Sequence, residues 1–153
     1  MDRSCKTRKV PLLYIVVTIL SFFVTFCGTG NQGTPLSGVN DTALILISGN
    51  PDFPETLVNN AVERTFTLTN IGGKAASDLT ATFFQVSFAF KGGSYPGTDG
   101  TCGTALSSGD GCSVVVEFSP KFPGSTQAAL NVEYFNGSMF KAINDYVLSG
   151  TGI

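Results

Sequence analysis

The chain has no histidine and no tryptophan, and only 13% of its residues are charged. Without histidine it lacks the side chain that most often acts as general base or metal ligand near neutral pH. Ser-His-Asp triads, Cys-His pairs and histidine-containing zinc sites are therefore excluded together. Positive charge is scarce too: beyond Cys27 there are five basic residues against ten acids, which leaves no electrostatic footprint for nucleic acid. Good helix formers give way to glycine, threonine, serine and phenylalanine, a composition that favours strands and turns. At 153 residues the length suits one domain of ordinary size.

The few basic residues are concentrated at the start, at Arg3, Lys6, Arg8 and Lys9, directly before the uncharged run "VPLLYIVVTILSFFVTF" of residues 10–26. A basic cluster followed by an apolar stretch is the layout of a secretory signal, and it predicts export from the cytoplasm. The run also reaches the lower edge of what spans a bilayer, so an uncleaved signal anchor fits as well. Cys27 closes the run and is followed by the small, polar "GTGNQGTPLSG". This arrangement resembles a bacterial lipoprotein signal, which implies lipidation of Cys27, although Phe26 stands where such signals carry a small residue. Residues 1–27 are then the leader or membrane anchor, 28–40 a flexible tether and 41–153 the folded domain. Within the tether, "GTGNQG" matches the spacing of a dinucleotide-binding loop. No strand precedes it and no helix follows, so nothing would aim a helix N-terminus at a pyrophosphate, and a tether is the better assignment.

From Thr42 onward, short β-prone segments alternate with turn chemistry. "TALILIS" is a continuous apolar run closed by "GNPDFPE". In "RTFTLTN" Phe66 and Leu68 point inward and Thr65, Thr67 and Thr69 outward, the period of a strand, before Asn70 to Gly73 turn the chain. In "DLTATFFQVSFAF" the apolar phase slips at Phe83 and Phe84, which calls for a bulge or a break into two strands. "QAALNVEYFNGSMFKAINDYVLSG" reads as a hairpin turning on Asn136 and Gly137 in a type I′ turn. Leu130, Val132 and Tyr134 are expected to share a core with Phe140, Ala142, Tyr146 and Leu148. About seven strands and no convincing helix, in a domain of about 110 residues, predict an all-β, immunoglobulin-like antiparallel β-sandwich. A jelly roll or small barrel is the alternative.

Cys102 and Cys112 lie ten positions apart in "GTCGTALSSGDGCSVVVEFSP". They have no CxxC spacing, no histidine and no second pair to complete a four-ligand zinc site. Outside the cytoplasm such a pair forms a disulfide, and closing this loop stabilises the fold by about 2.5 to 3 kcal/mol on the chain-entropy account. Asp99 and Asp110 fit turn chemistry rather than a calcium loop, since no repeated Asp-x-Asp-x-Asp-Gly pattern surrounds them. Tyr95 and Pro96, with Phe90 nearby, form an aromatic stretch that suits packing better than an apolar binding loop.

"TLTNIGG" (67–73), "CGTALSSGDGCSVVVEFSPKFPGSTQAALNV" (102–132) and the terminal "LSGTG" (148–152) occur together and in this order. In that combination the chain resembles the abnormal-spindle/hydin-type immunoglobulin-like domain, in its bacterial exported form described as the choice-of-anchor D module. The resemblance implies a seven-stranded sandwich related to the major sperm protein fold, used as a structural or interaction module and often repeated. Only a single copy is present here. Eukaryotic relatives are linked to cilia and centrosomes, a location that the export signal argues against carrying over. The expectation is a non-enzymatic, exported and membrane-tethered module at the bacterial cell envelope. It would have no cofactor, metal or nucleic-acid partner, and would bind an envelope protein or an extracellular ligand. The alternative is a structural subunit of a surface assembly or fibre joined through strand edges.

Overall fold

A computed structural model describes residues 41–153. The leader, Cys27 and the tether lie outside the described residues. The first sheet is built on β2 (Val62–Asn70) and β5 (Gly111–Phe118), paired antiparallel so that Phe66 lies opposite Val114 and Leu68 opposite Cys112. Strand β1 (Ile45–Ser48) pairs with β2 on one side and β4 (Phe88–Phe90) with β5 on the other. In the second sheet, β3 (Ser77–Thr82) pairs with β7 (Asn131–Phe135) and β7 with β8 (Phe140–Ile143). Strands β6 (Gly124–Ala129) and β9 (Val147–Gly152) form a further ladder. Leu130 alone separates β6 from β7, and its N–H donates to the Tyr146 carbonyl at 3.0 Å. These four segments are thus one long hairpin bent in its middle, and the nine elements reduce to the seven strands of an immunoglobulin-like β-sandwich.

Period-two patterning explains the core. Phe66 and Leu68 of β2 and Val114, Val116 and Phe118 of β5 are fully buried, facing Leu130, Val132 and Leu148 of the opposite layer. The ring of Phe118 crosses to the far sheet, where a Cβ on Gly150 would meet it at 2.6 Å, so "LSGTG" is glycine there to admit an aromatic. Val115 points away from this core yet is buried, because the loop after β4 folds over it: Val115 N–H donates to the Pro96 carbonyl at 2.8 Å. Gly97, at φ +91°, lies too close to the Val115 carbonyl for any side chain.

The phase slip at Phe83 and Phe84 resolves as a break: β3 and β4 belong to different sheets and residues 83–87 cross between them. The expected hairpin forms, with two differences. Asn136 N–H donates to the Met139 carbonyl, and positive φ occurs at Gly137 and not at Asn136, so the central pair is Gly137-Ser138, the pattern of a type II′ turn. The Asn136 side chain accepts from the Ser138 and Met139 N–H groups, both at 2.9 Å, which fixes it before the turn. Phe140 and Ala142 do not face the core. Phe140 is 69% exposed and meets Phe135 edge-on at 5.4 Å on the outer surface. The reason is a bulge: between the pairs Val132–Ile143 and Ala129–Val147 one strand advances three residues and the other four. The extra residue in the Asn144-Asp145 stretch inverts the alternation, so Leu148 turns inward while Phe140 and Ala142 turn outward.

At one pole the side chain of Asn70 is completely buried and makes every hydrogen bond open to an amide. Its Oδ1 accepts from Leu44 N–H at 3.1 Å and Gly72 N–H at 3.0 Å, and its Nδ2 donates to the carbonyls of Lys74 at 2.7 Å and Leu106 at 3.0 Å. Its backbone joins the same loop, accepting from Gly109 N–H and donating to the Asp110 carbonyl. We predict that Asn70→Ala lowers stability by about 3 kcal/mol, since several buried groups lose their partners. Asn70→Asp should cost more, because a carboxylate oxygen would then face two carbonyls. Chemical denaturation checks both; an Asn70→Asp variant as stable as the wild type would contradict this assignment.

Candidate functional site

The structure joins Cys102 to Cys112, with Cα atoms 4.8 Å apart and Cys102 buried. The closed loop adds to the free edge of β3, where Ala76 and Leu106 exchange two backbone bonds and Leu79 N–H donates to the Thr104 carbonyl at 2.9 Å. At its base Thr101 and Ser113 bond to each other through backbone and hydroxyl groups. The thiols are thus used in a brace that covers one flank of the sandwich. Asp99 is engaged by Lys91, whose ammonium lies 2.9 Å from it and 3.0 Å from Glu63. Those hydrogen bonds, Asp99 first, raise the Lys91 pKa. Asp110 contributes a turn carbonyl to Asn70. The Tyr95 ring packs edge-on against buried Phe90 at 5.7 Å and its hydroxyl donates to the Gly103 carbonyl, so the aromatic stretch is part of the packing.

The opposite flank is open. The N-terminal strand pairs with β2 through β1, then leaves that sheet at Gly49, and Asp52 and Thr56 pair with β9 in the other layer. Between the outer edge of β1 and the outer edge of β8 lies a groove of about 420 Å³ lined by Ile45, Leu46, Ile47, Ile143, Asp145 and Tyr146 among others. One end is closed where Ala43 N–H donates to the Asn136 carbonyl at 2.9 Å and Ile45 N–H to the Tyr134 hydroxyl at 3.3 Å. The other is closed by the Tyr146 hydroxyl, which donates to the Gly49 carbonyl at 2.8 Å.

Both walls present backbone. Ile71 N–H donates to the Leu44 carbonyl, so by antiparallel alternation Leu44, Leu46 and Ser48 bond toward β2 and Ile45 and Ile47 point their peptide groups outward. The Ile47 N–H and the Ile45 and Ile47 carbonyls have no hydrogen-bond partner among the described residues. On the other wall the Asn136–Met139 bond sets the same alternation, which aims the peptide groups of Phe140 and Ala142 outward. The side chains around this gap are mainly apolar, and Leu44 and Leu46 are half-exposed beside it. Unpaired backbone on both sides and mainly apolar side chains are the features that strand addition by an extended peptide requires. It carries no constellation for acid-base or nucleophilic chemistry.

Sequence reasoning missed Asn70, taken only as a turn residue, and missed the edge position of β1. The unbroken apolar run of "ALILI" does not reveal that one face and one edge stay open.

No protein-family model and no curated protein matches this chain. The fold is that of an immunoglobulin-like β-sandwich domain. Among solved structures it is similar to the ASH/PapD-like domain of human CEP192 (PapD-like domain 7), with 17% identity, a TM-score of 0.53, and coverage of 92% of this chain and 97% of that one. It is also similar to part of the VesB protease of Vibrio cholerae, with 16% identity and a TM-score of 0.54 over 71% of this chain. The chain spans 31% of that protease's length. At these identities the likeness is one of fold.

Burial raises the pKa of Tyr95 to about 12 and also raises that of Tyr146. A tyrosine whose folded value lies above the ordinary value of about 10 stabilises the fold below that pH and loses its contribution as pH climbs through the folded value. We therefore expect stability to fall between about pH 10 and 12. Absorbance titration should show one phenol ionising last in that window, and Tyr95→Phe should remove it.

Proposed function

We propose that this chain is a non-enzymatic, exported module of the abnormal-spindle/hydin or choice-of-anchor D type, tethered to a membrane at the bacterial cell envelope, which binds an envelope protein. The partner contributes an extended segment that pairs with the outer edge of β1 in the groove facing β8. The observation that carries this reading is the outward-facing Ile47 N–H and Ile45 and Ile47 carbonyls, beside half-exposed Leu44 and Leu46. Main-chain pairing supplies affinity and the alternate side-chain positions supply selectivity. Attachment rests on the basic and apolar leader and on Cys27, with lipid on that cysteine or an uncleaved anchor helix as the two modes.

A photo-crosslinking residue at Leu46, used in intact cells, should trap a discrete partner. Ile47→Pro removes an N–H that the fold itself does not use and should abolish that crosslink, whereas Ile47→Ala, which also loses the buried side chain but keeps the N–H, should retain it. A crosslink that survives Ile47→Pro would overturn pairing at this edge. If the trapped species is a second copy of the chain, the surface-assembly reading takes its place.

The tether has its own test. Labelled palmitate should enter the wild type and not Cys27→Ser; equal labelling of the two would refute lipidation at Cys27.

A further inference from the structure

The pole remote from Asp41, where β2 begins and β5 ends, carries a set of exposed apolar side chains. Phe84 is 87% exposed, Val86 84% and Phe122 79%, the three most exposed large hydrophobics among the described residues, ahead of Phe140 at 69%. They stand on two neighbouring loops, residues 83–87 and 119–123, joined where Ser119 N–H donates to the Ser87 carbonyl at 2.8 Å. Half-exposed Leu57 and Ile153 adjoin them: Val58 N–H donates to the Ile153 carbonyl, and the Phe122 carbonyl lies 2.5 Å from where a Cβ on Gly152 would sit. Monomeric domains seldom gather this much apolar surface without a use for it.

We propose that this pole is a lipid-surface contact, in which Phe84, Val86 and Phe122 enter the boundary between headgroups and acyl chains of a phospholipid bilayer. Two observations select a bilayer. First, the three side chains are 79–87% exposed on loops and project outward, so two such poles would bury little area against each other. Second, neither loop contains a carboxylate, in a domain with ten acids, and Lys121 stands between the two prolines where it meets lipid phosphate. This contact is independent of strand addition at β1, and it lies at the far end of the domain from the residues that lead to the leader.

The absence of tryptophan makes the test direct, because one substitution supplies the only indole. The full chain is mixed with phosphatidylcholine vesicles containing a minor share of phosphatidylglycerol and brominated acyl chains. Indole emission is then read from Phe84→Trp, from Phe122→Trp and from Phe140→Trp at the opposite pole. Lipid contact predicts quenching at the first two at least about twofold greater than at the third, since only an inserted side chain reaches the bromines. Phe140 lies at the pole where the described chain begins, so attachment through the residues before position 41 would favour quenching at Phe140→Trp and cannot produce the expected order. Equal quenching at the three positions overturns the proposal. In parallel, a variant with Phe84→Ser, Val86→Ser and Phe122→Ser should keep the wild-type melting curve and the wild-type sedimentation coefficient. A change from dimer to monomer in that variant would show a chain-chain contact and would also overturn it.

Discussion

The architecture depends on one amide. Asn70 ends β2 with its side chain sealed from solvent, and its two acceptor and two donor positions are all engaged, by Leu44, Gly72, Lys74 and Leu106. These partners belong to three separate pieces of chain: the lead-in to β1, the turn that starts β3, and the cysteine loop. A buried amide with all its bonds made is stable, whereas one with half of them made is costlier than an apolar residue. The three pieces are therefore held together as a unit. Phe66 and Leu68 bury the same strand face by apolar contact, but such contact has no direction and would tolerate slippage that the amide does not.

From that pole the two flanks of the sandwich diverge. On one, the disulfide-closed loop reaches from β5 to the edge of β3, so the seam between the sheets is covered by backbone pairing at Ala76 and Leu106. On the other, the N-terminal strand begins in the first sheet and ends in the second, and the crossing at Gly49 leaves β1 and β8 facing each other without a strand between them. The Asn144-Asp145 bulge lies at the edge of the same gap and turns the return strand there. A sheet that is sealed on one flank and open on the other has a built-in direction for accepting a strand.

Much of this was legible in the chain as written. Alternation in "RTFTLTN" located β2 and its buried face, and the slip at Phe83 marked a real break between strands. Lack of histidine and the spacing of Cys102 and Cys112 argued for a staple rather than chemistry. The failures have a common cause. Phe140 and Ala142 were assigned to the core because alternation was carried through Asn144 and Asp145 unchanged, and a single extra residue inverts every face beyond it. Asn70 looked like ordinary turn chemistry because burial of a polar residue depends on what closes over it. The turn moved by one residue because Asn136 bonds forward to Ser138 and Met139 instead of taking a central position.

The sequence by itself determined the class of fold, the core residues of β2 and β5 and the absence of histidine chemistry, since period, turn residues and composition act locally and can be counted along the chain. Only the tertiary structure decided which edges stay open, where apolar loops gather and which asparagine is sealed inside. Each of those depends on segments far apart in sequence meeting at one place: Leu44 with Leu106 across Asn70, Gly49 with Tyr146 at the groove, and Ser87 with Ser119 beneath the exposed phenylalanines.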